Sequence, residues 1–168
     1  TGVTLIRLAR RQIYRVEVAG GSMSPTLEPG DWLLLRRGPP SASESAFGLV
    51  VAARDRSGRL LLKRIVGLPG ESLRVGEAVQ VNGCDLLELY ASGEVPVSSY
   101  RGVSRLGASE FFLLGDRRNA STDSRELGPI KLTSLEGVVL ARYWPPHRIG
   151  LLRRPKRCWV TTPAAAKH

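Results

Sequence analysis

At 168 residues the chain has room for one ordinary domain and a small insertion. Its 42% apolar content excludes wholesale disorder. Lys and Arg number 25 against 15 Asp and Glu, a net charge of +10 that suits nucleic acid, an anionic membrane or an acidic partner without choosing among them. In chain order, residues 1–12 scatter Arg7, Arg10 and Arg11 among Leu5, Ile6 and Leu8 and read as a basic segment linked to a membrane anchor, or as a short amphipathic helix. Alternation predicts a strand over 13–18, and residues 31–36 (Trp32, Leu33, Leu34, Leu35) read as a second, mostly buried strand. Residues 38–45 are a Pro/Ser-rich loop. A third strand is predicted over 47–53, a hairpin turn over 54–58 and a fourth strand over 59–66. Short strands follow over 71–75 and 78–81, with Asn82-Gly83 as a hairpin signal. Residues 85–107 lack periodicity, so a reduced, loop-rich insertion is expected over about 76–107. Strands over 109–114 and 137–144 precede a basic, Pro/Ala-rich tail over 151–168 whose end is expected to be mobile. Many short strands with almost no helical periodicity imply a mainly β fold, its catalytic part over 13–150.

Chemistry is concentrated in three stretches. The first is Gly20-Gly21-Ser22-Met23-Ser24-Pro25, running on to Asp31. Paired glycines permit a sharp bend, and Pro25 keeps Ser24 out of the helical region, so Ser22 is presented on a turn. A polar turn between strands is the ordinary meaning of such a stretch, and it carries chemistry only in company.

The second stretch contains Lys63. Period-2 alternation puts Leu61, Lys63 and Ile65 on one face and Leu62, Arg64 and Val66 on the other, so the strand reads as buried on both sides. Burial disfavours an ammonium and lowers its pKa, which fits a lysine to act as a general base. An edge-strand lysine snorkelling to water is the competing reading. Lysine is scarce in this arginine-rich chain, being present only at 63, 131, 156 and 167, and that weighs against a merely surface role.

The third stretch runs from Gly115 to Arg125 and offers Ser121 and Ser124 hydroxyls with Asp116 and Asp123 carboxylates. A serine needs a base to take its proton. With His147 and His168 both near the C-terminus, a Ser-His-Asp triad and a histidine metal site are disfavoured, and neither metal nor cofactor is expected. Cys84 and Cys158 fit no zinc spacing and are open to being free thiols or one disulfide.

Together and in this order, Ser22-Met23-x-Pro25-Thr26, Lys63-Arg64-x-Val66-Gly67-Leu68-Pro69-Gly70 and Gly115-Asp116-x-Arg118-x-x-Ser121-x-Asp123-Ser124-Arg125 resemble the motifs of the type I signal peptidases. The resemblance runs from about residue 16 to residue 150. It implies antiparallel β-sheets of the signal-peptidase catalytic core. It also implies a Ser-Lys endopeptidase that removes signal peptides from preproteins after small residues. Ser22 would be the nucleophile, Lys63 the general base and Ser121 the group that holds the lysine amine. The Ser22 N–H would form the oxyanion hole, with Gly20 at the position where some members add a hydroxyl. Arg64 with Asp116, and Asp123 with Arg125, would be structural ion pairs. The substrate would add as a strand between residues 16–20 and 60–62, with Val18, Met23, Leu61 and Leu62 lining its pockets.

The family's Gly-Asp pair at the third strand reads Gly48-Leu49 here. No run reaches membrane-spanning length, and an anchor is expected upstream of Thr1. Membrane lipids are the expected second partner, with the catalytic domain on the extracytoplasmic face of a bacterial plasma membrane. A mitochondrial inner-membrane-type peptidase and a dedicated maturation protease share this chemistry. A self-cleaving repressor-type protein is disfavoured because Pro25-Thr26 and the Gly115 motif resemble signal-peptidase features. A basic nucleic-acid-binding β-domain is the distant alternative, and no nucleic-acid partner is expected.

Overall fold

The computed structural model describes residues 12–160, and the basic segment over 1–11 and the tail end over 161–168 lie outside the described residues. The strands are β1 (Ile13–Glu17), β2 (Trp32–Arg37), β3 (Val50–Arg54), β4 (Leu60–Gly67), β5 (Ser72–Val75), β6 (Val79–Val81), β7 (Cys84–Asp85), β8 (Arg101–Arg105), β9 (Glu110–Leu114), β10 (Ile130–Lys131), β11 (Leu135–Trp144) and β12 (Gly150–Leu151). A large sheet has the order β1-β2-β11-β3-β4-β9-β10, with β12 on β11, and a small sheet has the order β7-β6-β5-β8. All strand pairings are antiparallel, as expected for a mainly β chain.

Two apolar cores follow from the alternation. One gathers Ile65, Phe111 and Leu113 of the large sheet with Leu73, Val75, Val79 and Val81 of the small sheet. The other gathers Val18, Met23, Leu27, Leu33, Leu35, Val50, Ala52 and Val139 beneath the serine bend. β2 is fully buried on one face only: Leu33 and Leu35 are buried, whereas on the other face Trp32 is exposed and Leu34 and Arg36 are half-buried. This corrects the expected mostly buried strand, because its other face has no layer over it. β8 is a strand the sequence did not signal, since Arg-Gly-Val-Ser-Arg lacks an apolar period and takes its form from pairing with β5.

Among the described residues, two open strand edges lie next to the serine bend. β1 ends the large sheet. β4 pairs with β3 along Leu60–Arg64, but β9 joins its other side only from Arg64 onward. The first half of β4 therefore has a free edge.

The segment after β12 is an ordered strap. Pro155 packs against Gly48, whose φ of +77° and lack of a Cβ make room for it. Arg157 pairs with Glu71 at 2.7 Å and Glu44 at 3.1 Å and lies over the Phe47 and Trp159 rings. Trp159 bridges to Leu86 beside the small sheet. Leu49, where the family has Asp, packs on the first core. Cys84 and Cys158 are both free and exposed. No helix among the described residues is long and apolar enough to cross a membrane.

Candidate active site

The serine bend is held from below and behind. Met23 and Leu27 are buried in the second core, and Leu27 N–H donates to the Met23 carbonyl at 2.9 Å. Asp31 accepts the Glu28 N–H at 2.9 Å. Arg142 and Arg148 from the far end of the chain both reach Asp31, at 3.1 and 3.2 Å, and also donate to the Thr26 and Pro25 carbonyls. Ser22 thus sits on a loop whose backbone is tied at several points. No hydrogen bond engages the Ser22 N–H among the described residues.

Lys63 closes the constellation. Its Nζ lies 2.7 Å from Ser22 Oγ and donates to the Leu62 carbonyl at 3.0 Å. It is 4% exposed and makes no salt bridge. Burial pulls its pKa down to about 8; Asp123 opposes this, while Arg59 and Arg125 add to it. Burial without a carboxylate in hydrogen-bond reach therefore brings the amine's pKa down toward the neutral range, the direction its strand position predicts.

The third stretch wraps over this pair. Arg117 N–H donates to the Ser22 carbonyl at 3.0 Å. A Cβ on Gly115 would run into the Ser121 side chain and the Ser22 carbonyl, so only glycine lets these loops meet. Arg64 Nε and Nη2 donate to Asp116 at 2.8 and 2.6 Å, a bidentate buried pair. Asp123 takes Arg125 at 2.8 Å and the Gly115 N–H at 3.0 Å. Burial alone would raise the Asp123 carboxyl, but these donors outweigh it and hold it below the usual range. Both expected ion pairs are therefore formed. Ser124 Oγ is spent on the Leu113 N–H at 2.9 Å. Ser121 Oγ is buried beside Gly115 with no hydrogen-bond partner, so the expected bond to the Lys63 amine is absent from this geometry.

Thr26 of the first motif donates to Asp116 at 2.6 Å, tying the serine bend to the ion pair. Other supporting residues had no sequence signal. Ser92 Oγ donates to the Ser24 carbonyl at 2.9 Å, and its N–H to the Asp116 carbonyl at 2.7 Å. Tyr90 covers the Arg64 guanidinium at 4.4 Å, and Glu88 pairs with the buried Arg118 at 2.6 Å. The irregular insertion thus buttresses the site. The Gly-Asp-x-Arg spacing pointed to Arg118, but its carboxylate comes from a stretch with no pattern.

A cleft of about 520 Å³ runs from this pair between the two open edges. Residues 16–21 form one wall, residues 59–62 the other, and Ser22, Met23, Lys63, Ala120 and Thr122 close the end. Val18, Met23, Leu61, Leu62 and Gly20, all expected near the substrate, line it.

The signal peptidase, peptidase S26 family matches residues 3–144. The chain belongs to this family. Signal peptidase I from Leptolyngbya laminosa is 34% identical over 144 residues, covering 80% of this chain and 70% of its own. Probable signal peptidase I-2 of Synechocystis is 34% identical over 143 residues, and the match spans 80% of this chain and 65% of that relative. A crystal structure of a signal peptidase I from Enterococcus faecalis aligns with 55% of this chain and 93% of its own at 28% identity and a TM-score of 0.48. The function is that of a signal peptidase I: a membrane-associated serine endopeptidase acting on preproteins.

Proposed function

We propose that Ser22 and Lys63 cleave preproteins as a nucleophile-base dyad on a catalytic unit spanning residues 13–150. The observation that carries this is the 2.7 Å approach of a buried, unpaired lysine amine to a serine hydroxyl at the end of an open cleft. One amine N–H is committed to the Leu62 carbonyl, which leaves the lone pair of the neutral form free for the Ser22 proton. Ser22 Oγ attacks the scissile carbonyl as Lys63 Nζ takes that proton. The oxyanion forms beside the Ser22 N–H. The tetrahedral intermediate then breaks its C–N bond, and the Lys63 ammonium protonates the leaving amine. Water attacks the resulting ester, Lys63 takes the water proton, and the peptide acid leaves as Ser22 recovers its hydrogen. Ser121 is the positioning residue of this scheme, adjacent to the pair and holding an uncommitted hydroxyl.

The substrate lies as an added strand between β1 and the first half of β4. By alternation Val16, Val18, Leu60 and Leu62 form the floor, since all pack on the second core. They leave shallow room for small residues at the first and third positions before the cleaved bond. The experiment is cleavage of a preprotein with a small-residue site by wild type, Ser22→Ala and Lys63→Arg. Arginine keeps the charge but accepts no proton, so both variants should lose at least about a thousandfold in rate. Substantial cleavage by Lys63→Arg would exclude the base.

We further infer docking on the outer leaflet of a bacterial plasma membrane. Trp32 and Trp144 oppose each other in register and are exposed, and Ile149 and Leu151 extend the patch at 62% and 79% exposure. Tryptophan suits the headgroup level. The cation run of the tail contributes less than the sequence suggested, because Arg157 is committed to carboxylates. Co-sedimentation with neutral and anionic liposomes tests the patch, and Trp144→Ser should release the protein.

A further inference from the structure

The far end of the cleft carries charge that the dyad does not use. Glu17 on β1 and Arg59, just before β4, both line the cleft, one on each wall. Counting back from the reacting pair, Arg59 lies four residues before Lys63 and Glu17 five before Ser22. Along β4, at about 3.3 Å per residue, Arg59 is roughly 13 Å from Lys63, the span of four extended substrate residues, and Glu17 ends β1 on the opposite wall. Alternation puts both on the outer face: Val16 and Val18 flank Glu17 and turn to the core, as Leu60 and Leu62 do on the other wall.

The two charges are not equal. Asp55 takes Arg59 Nε at 3.1 Å and is itself fixed by the Ser57 and Arg59 N–H groups in its turn. The Arg59 charge is therefore offset locally. Glu17 has no cationic partner among the described residues. Arg15, its neighbour on the same face, leans away across β2 and lies 5.6 Å from the Tyr143 ring centroid. The balance at this rim is one uncompensated carboxylate, in a chain whose net charge is +10.

We propose that Glu17 is a specificity residue that favours a basic side chain at the fourth position before the cleaved bond. This rests on the dyad and the added-strand register proposed above. First- and third-position side chains point to the floor, so the fourth points outward, toward the rim that carries Glu17. The acidic rim attracts Lys or Arg there and repels Asp or Glu, by a surface effect that salt screens.

The experiment uses three peptides identical except for Lys, Gln or Glu at that position, with kcat/KM measured for wild type, E17Q and E17K. Wild type should prefer Lys to Glu by about three- to tenfold at low salt, converging toward parity in 0.5 M NaCl. E17Q should bring the ratio near one and E17K should invert it. A wild-type ratio of one, or a ratio that E17Q and E17K leave unchanged, overturns the proposal. Failure to cleave the Gln peptide in wild type alone would instead count against the dyad or its register, so the two readings fail separately.

Discussion

β4 places two buried cations side by side, and they have opposite fates. Arg64 faces Asp116 with two short bonds, receives Thr26 at the same carboxylate and lies under Tyr90. Lys63, one residue earlier and on the other face, has only a hydroxyl and a carbonyl within reach. The same depth of burial therefore yields a permanent ion pair on one face and an amine near neutrality on the other. The presence of a carboxylate, rather than burial as such, separates a structural cation from a base.

The largest effect that tests this contrast is loss of a partner on the arginine face. Arg64→Ala leaves Asp116 buried without its cation and should destabilise the fold by about 3–5 kcal/mol, read from urea midpoints. Next comes the lysine face, where the same type of change should stabilise. Lys63→Met should be inactive yet more stable at pH 7 by about 2–3 kcal/mol, because it removes an amine whose pKa is lowered from 10.5 to about 8. The sign follows from proton binding. Between pH 8 and 10.5 the unfolded chain holds the Lys63 proton and the native chain does not, so wild-type stability rises with pH across that window. The advantage of Lys63→Met should shrink over the same window and disappear above it. An unchanged gap at pH 7 and 10 would contradict the assignment.

Activity should follow the same group. The rate of kcat/KM should climb through a midpoint near pH 8 as Lys63 loses its proton. Ser121→Ala should lower kcat roughly tenfold while moving the urea midpoint far less than Arg64→Ala, since that hydroxyl is uncharged and makes at most a weak contact with Asp123. A normal kcat in Ser121→Ala would remove it from the scheme. The smallest effect is Arg59→Gln, which withdraws a cation that lowers Lys63 and should move the pH midpoint slightly to the alkaline side.

This asymmetry explains what was legible beforehand. Lys63 and Arg64 could be placed on opposite faces because strand periodicity is local. The Arg64–Asp116 and Asp123–Arg125 pairs and Ser22 were readable because motif spacing carries them. Glu88, Tyr90 and Ser92 were not, because they sit in irregular backbone whose position is set by what it packs on. β8 was missed for the same reason, its strand form coming from β5. The strap had no sequence signal, since nothing local says that Arg157 will meet Glu44 and Glu71. Ser121 marks the limit of motif reading: the motif implied a bond to Lys63, and that bond is not among the hydrogen bonds of the described residues.

The sheet order also bears on biosynthesis. All three motifs lie before residue 129, yet β2 and β3 meet only through β11, near the end of the chain. Residues 135–144 supply the only strand pairing between the half of the sheet that bears Ser22 and the half that bears Lys63 among the described residues. Arg142 and Arg148, which fasten the bend, come later still. A polypeptide ending after the last motif would carry every reactive group without the strand that pairs with both β2 and β3, so the sheet around the dyad closes only after all three motifs have been made.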